Sequence, residues 1–168
     1  MKRYLPFFLM FLALSVFAQE GKKAPDFSLD NIDGDPVTLS ENTGSGPVVL
    51  SFWATWCKPC KKELDAIAEE YANWVKETGV KLIAVSIDDA RGFSKVGPEV
   101  KTKGWDYEVY VDENQDFKRA MSVNSVPHTF VIDGKGNVVW QHNSYAEGDE
   151  DALYEVVKKV AKGEKVNE

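Results

Sequence analysis

Apolar positions along the chain follow two patterns. Val48 to Ala54 is apolar except for Ser51, and Val80 to Ile87 is a second, mostly apolar run. Short runs of this kind fit strands covered on both faces, as in a parallel sheet. Between them Leu64, Ile67, Ala68, Tyr71, Trp74 and Val75 recur at helical spacing after Pro59. Lys76 falls in the last turn and Gly79 follows. This predicts a helix over 59–77 and a right-handed βαβ unit with parallel strands. Upstream, Phe27 and Leu29, then Val37 and Leu39, alternate with polar residues around a turn at 31–35, which predicts a hairpin. Residues 40–47 read as loop.

Downstream, 89–104 predicts a helix interrupted at Gly97-Pro98. Tyr107–Val111 reads as a strand and Asn114–Met121 as a short helix. Residues 129–132 and 138–141 are apolar runs joined by DGKGN, a second hairpin. Asp149 is expected to cap a last helix carrying Leu153, Val156, Val157 and Val160, ended by Gly163. Strands and helices interleave, so the fold class is α/β, in one domain without internal repeats.

Composition agrees. The chain has 168 residues, 43% hydrophobic and 28% charged, a profile with enough apolar surface for a core. The formal net charge is −7, and no basic stripe marks it for nucleic acid. Residues 1–18 differ from the rest. Lys2 and Arg3 precede an apolar run, and Val16 and Ala18 supply small residues at the −3 and −1 positions. This pattern predicts a secretory signal. Its removal leaves 19–168 as the mature domain, exported across the inner membrane to the periplasm. The competing reading is an uncleaved anchor, although the run is short of the ~20 residues a spanning helix needs. Membrane contact is expected only in that case. Either way the domain faces an environment in which disulfides persist.

The only two cysteines, Cys57 and Cys60, lie in FWATWCKPCKKE, at the predicted strand-to-helix junction. Residues three apart on a helix are about 5–6 Å from one another, within the range a disulfide tolerates. At the helix N-terminus, free N–H groups and the helix dipole favour an anion, and Lys58 and Lys61 add positive charge. Cys57 is thus the expected attacking thiolate, and Cys60, one turn further in, the resolving thiol. Other uses of the pair fit less well. A zinc site needs two more ligands, and His128 and His142 lack a finger spacing. Haem attachment needs histidine directly after the second cysteine, where Lys61 stands. A structural staple across two residues would restrain almost no loop.

WCKPC, with APDFSLDNIDGDPVTLS before it and SVPHTFVID after it, resembles the thioredoxin superfamily. The likeness is to the extracytoplasmic TlpA/ResA-like thiol-disulfide oxidoreductases and covers about residues 24–163. It implies a thioredoxin-like fold, a central mixed β-sheet flanked by helices, with an N-terminal β-hairpin extension. It also implies that Val126-Pro127 is a cis-proline bond beside the disulfide, presenting backbone to an extended substrate. Trp56 would form part of the substrate-facing surface. Glu63 matches an acidic residue near the cysteines that could exchange a proton with Cys60; otherwise it belongs to a solvated Lys-Lys-Glu face. Ser51 replaces the buried aspartate of thioredoxin proper, and Asp65 replaces a helix-kinking proline, so the helix is expected to run straighter. His128, in place of threonine, would put a titratable group near the thiolates.

The expected activity is exchange of the Cys57–Cys60 pair with protein thiols and disulfides, without a cofactor. The resemblance leans towards reduction, for example of cysteines awaiting haem attachment in cytochrome c maturation, fed by a membrane electron donor. Two alternatives stand beside it. One is a peroxiredoxin-like antioxidant, against which Leu50 and Ala54 occupy the expected proline and threonine positions. The other is a non-catalytic thioredoxin-like binding module.

Overall fold

The computed structural model describes residues 22–42 and 46–166. The predicted signal, residues 1–18, lies outside them. Among the described residues no helix is long and apolar enough to cross a membrane.

Seven strands form one mixed sheet in the order β2-β1-β5-β4-β3-β6-β7. β3 (Val48–Trp53) is the centre, and all six of its residues are buried. It pairs in parallel with β4 (Lys81–Ser86) and antiparallel with β6 (His128–Ile132). Strand β4 pairs in parallel with β5 (Glu108–Val111). The predicted N-terminal hairpin is present as β1 (Ser28–Asn31) and β2 (Pro36–Thr38), and β1 adds antiparallel to β5. Asn31 Oδ1 accepts from the backbone N–H groups of Asp33 and Asp35, which fixes the turn. Strand β7 (Val138–Asn143) closes the other edge.

Helix α2 (Lys58–Thr78) links β3 to β4. It buries Cys60, Glu63, Leu64, Ile67 and Trp74, a stripe at the spacing of one helical face. Gly79 ends it at φ 66°, its N–H donating to the Val75 carbonyl. That left-handed turn suits a glycine. Val75 itself is exposed, one residue off the buried stripe. Aromatic contacts tie the layers together: Phe117 packs on Phe27 and Phe52, and Trp105 on Trp53 and Tyr107.

Three local expectations are corrected. The 40–47 segment is not all loop, since Leu39–Asn42 forms one helical turn, α1. Helix α3 (Phe93–Lys103) runs unbroken through Pro98. Gly97, lacking a Cβ, avoids the clash that a proline ring makes with the residue before it, and Val96 and Val100 hold the face against the core. Asp149 does not cap α5 (Asp149–Ala161). Gly148 takes the cap position at φ 99°, and Asp149 begins the helix. Its carboxylate reaches back to the N–H of Ala146 instead. Helix α4 (Asp116–Ala120) lies within its predicted bounds.

Candidate active site

Strand β3 delivers its C-terminal end into a tight loop, Ala54–Thr55–Trp56, and the chain turns at once into α2. Cys57 is the N-cap residue, with extended backbone angles, and its sulfur accepts from the Cys60 N–H at 3.3 Å. Pro59 occupies the first turn, where its missing N–H costs nothing. The two cysteines form a disulfide with a Cα separation of 5.4 Å. Cys57 retains 4% exposure and Cys60 none, so Cys57 is the more accessible of the two.

The loop is held from below by a residue the sequence reading missed. Asp88, buried just after β4, accepts from the Thr55 N–H at 2.8 Å and the Thr55 hydroxyl at 2.7 Å. The Ser86 hydroxyl also donates to it. Gly92 lies so close that a Cβ there would stand 2.6 Å from an Asp88 oxygen. As the start of an Asp-Asp pair after an apolar run, Asp88 reads only as a loop residue. Its partner is 33 positions away.

Glu63 is not on a solvated face. It is 3% exposed, one turn beyond Cys60 on the buried side of α2. The Thr129 hydroxyl donates to its Oε1 at 2.8 Å and lies 3.1 Å from the Ser51 hydroxyl oxygen. Thr129 and Ser51 face each other across β3 and β6. Glu63 Oε2 has no hydrogen-bond partner. Burial pushes the carboxyl up to about 7, with Asp149 and Glu150 adding to the rise, although the Thr129 bond pulls it down. The Ser51 and Thr129 hydroxyls thus form a short chain that ends on Glu63.

The Val126-Pro127 bond is cis. Since Phe52 pairs with His128, Pro127 stands at the same end of the sheet as Cys57. Its carbonyl accepts from the Ser144 N–H. His128 is stacked on Phe130, and its Nε2 lies 3.2 Å from Gln141 Oε1. Burial lowers its pKa, which favours the neutral imidazole. Trp56 is 68% exposed, a surface residue and not part of the core. Lys61 is ion-paired with Glu99 of α3 at 3.1 Å, which offsets the charge the sequence reading lent to Cys57. Asp65 bonds the Trp105 indole N–H and the Lys103 ammonium. Among the described residues no three His, Cys, Asp or Glu side chains are grouped to hold a metal.

A thioredoxin-like sheet with a cysteine pair where a central strand meets a helix, and a cis-proline at the same sheet end, defines a dithiol-disulfide domain. The chain belongs to the AhpC/TSA family, whose model matches residues 20–141. It is 38% identical over 122 residues to the thiol-disulfide oxidoreductase ResA of Bacillus subtilis (strain 168). That match covers 71% of this chain and 65% of the relative, so the chain spans just under two thirds of that protein's length. A solved thioredoxin-like protein from Porphyromonas gingivalis is 46% identical, with a TM-score of 0.73, covering 84% of this chain and 94% of that one. A putative thiol:disulfide interchange protein DsbE from Chlorobium tepidum is 30% identical, with a TM-score of 0.75, covering 84% and 97%. Family and cysteine pair together place the chain among the thiol-disulfide oxidoreductases.

Proposed function

We propose that this protein works outside the cytoplasm as a reductant of protein disulfides, with Cys57 as nucleophile, Cys60 as resolving thiol and Glu63 as its proton acceptor. The observation that carries the reading is the combination at the start of α2: a cysteine pair at a helix N-terminus with a buried, half-satisfied carboxyl one turn on. The helix N-terminus favours Cys57 as thiolate. The thiolate attacks a partner's disulfide, forming a Cys57–partner bond and releasing the partner's other sulfur as a thiolate, which takes a proton. Glu63 then accepts the Cys60 proton. Cys60 attacks the Cys57 sulfur, and the second partner sulfur leaves as a thiolate and is protonated in turn. Two electrons pass to the substrate and the Cys57–Cys60 disulfide remains. Its return to the dithiol needs an electron donor, for which we propose a membrane protein carrying a dithiol.

Trp56 and the Val126-Pro127 backbone line the approach to Cys57 and would hold the substrate segment. Export rests on the leader pattern of residues 1–18. The alternative peroxide chemistry lacks support, because Leu50 and Ala54, at the expected proline and threonine positions, are fully buried apolar residues.

The test is the reduction potential of the Cys57/Cys60 pair in the chain starting at Gln19, together with single-cysteine variants. A potential at or below about −250 mV supports a reductant, whereas about −120 to −180 mV makes the protein an oxidant or isomerase. Cys57→Ser should abolish exchange, and Cys60→Ser should trap a mixed disulfide. Normal exchange without Cys57 would refute the assignment.

A further inference from the structure

Trp56 borders two grooves of different character. On the α2 side the groove, about 410 Å³, is lined by Trp56, Lys58, Lys61, Lys62, Asp65 and Lys103. Four lysines line it; Lys61 is ion-paired with Glu99 and Lys103 with Asp65, so Lys58 and Lys62 supply its net positive charge, in a chain whose formal net charge is −7. Both Asp65 oxygens are bonded within the molecule, to Lys103 and to the Trp105 indole. Lys58 and Lys62 are exposed. The other groove carries both signs, with Asp88, Asp89 and Glu99 against Arg91 and Lys95.

Resting on the oxidoreductase reading above, we infer that the α2-side groove selects partner segments carrying acidic residues beside the cysteine, with Trp56 as the apolar anchor. Charge complementarity names the occupant. The chain repels acidic surfaces in general, so a local basic groove next to the reactive sulfur reverses that preference only where exchange occurs. Such rim charges act over roughly a Debye length, about 8 Å at physiological salt, and mainly raise the encounter rate. An exposed tryptophan supplies the large apolar contact that charge alone does not. A lipid headgroup would offer the same negative charge. However, Lys22 pairs with Val138 at the end of the β6–β7 hairpin away from Cys57, so a leader left in a membrane would join the fold at the pole opposite the groove.

The experiment uses reduced protein starting at Gln19 and three end-capped peptides, each with one Cys-x-x-Cys disulfide flanked by Asp/Glu, by Ser/Gly or by Lys. Product thiols are quantified after acid quench, at 20 and 500 mM salt. At low salt the acidic peptide should react about 10-fold faster in kcat/KM than the neutral one, with the basic peptide slowest. High salt should shrink the ratio to about 2-fold. Charge reversal at two exposed positions, Lys58→Glu with Lys62→Glu, should invert the order. Reading ratios cancels any change in the intrinsic reactivity of Cys57. Trp56→Ala should slow all three peptides by a similar factor. Equal rates for the three peptides at both salts would overturn the proposal. Equal rates combined with binding to vesicles containing anionic phospholipid would overturn it in favour of a lipid surface. No exchange with any peptide would instead remove the oxidoreductase reading on which it stands.

Discussion

Glu63 is a buried acid whose protonation is coupled to stability and, in the function we propose, to the chemistry of Cys60. Its folded-state pKa, about 7, is raised above the ordinary carboxylate value. The folded protein therefore keeps a proton that the unfolded chain releases as pH rises from about 4.5 to 7. Stability falls across that window, and the penalty is complete above it. A raise of this size sets a ceiling of about 3 kcal/mol. Glu63→Gln cannot ionise, so it should be more stable than the parent by about 1–2 kcal/mol at pH 8, with no gain at pH 4. Urea unfolding at the two pH values measures this. The gain stays under the ceiling because the buried amide NH₂ inherits the unpartnered position of Oε2. The same variant should resolve a preformed Cys57 mixed disulfide about 10²-fold more slowly, and its rate should lose the rise with pH near 7. Thr129→Val offers a second check. It deletes the bond that lowers the Glu63 pKa, so the midpoint of the pH–rate profile should move above 7. A midpoint that stays in place would mean that another group carries the proton.

The site's precision is a property of how β3, β4 and α2 meet, because no element alone holds the loop before Cys57. Asp88, just after β4, grips the Thr55 N–H and hydroxyl. Buried bonds to a carboxylate are each worth about 1.5–3 kcal/mol and do not add fully. Asp88→Ala should lower unfolding stability by about 2–4 kcal/mol and slow exchange even with small disulfides. Gly92→Ala should act through the same contact, since its Cβ would displace the Asp88 carboxylate. The double variant should then cost less than the two single losses combined, in both unfolding energy and rate. Full additivity would separate the two residues. This clamp also marks the limit of the sequence reading. The βαβ core was legible because β3 and β4 are covered on both faces, and because α2 presents one apolar stripe ended by Gly79. The cysteines were legible because their chemistry is local, three residues apart. Asp88, the ion pair of Lys61 with Glu99 and the burial of Glu63 were not, since each depends on a neighbour from another element. For Glu63 the sequence points both ways, since it shares the helix face of Cys60 but follows two lysines that suggest a solvated face. Pro98 misled for the complementary reason: a strong local breaker was outweighed by the buried face of α3 and tolerated because Gly97 precedes it.

Across the whole molecule the sheet works as a spacer between two poles. β3 runs towards Cys57, whereas β6 starts at His128 beside the cis-proline and runs away from it. The turn after β6 lies at the far pole, and the lead-in is pinned there: Lys23 bridges to Asn137, and the Ala24 N–H donates to the Gly136 carbonyl. A strand of five or six residues spans roughly 17–20 Å, which separates the lead-in from the reactive sulfur. Helix α5 points the same way, starting near Glu63 and placing Tyr154 against Trp74 and Glu77 at the end of α2. Bulk attached ahead of Lys22 therefore starts at the pole away from the site. A small soluble domain fused there should leave kcat/KM unchanged within about twofold, for a peptide disulfide and for a folded protein disulfide alike. The same domain inserted between Asn124 and Ser125, two exposed residues just before the cis-proline, should cut kcat/KM for the folded protein by more than 10-fold. The peptide should suffer less, because it needs less room. Comparable losses from both fusions would show that the lead-in reaches the reactive face and that the two poles are not independent. Retained activity from the N-terminal fusion alone would fit either fate of residues 1–18. A tether at that pole presents Cys57 outward, and a released domain presents it in any direction.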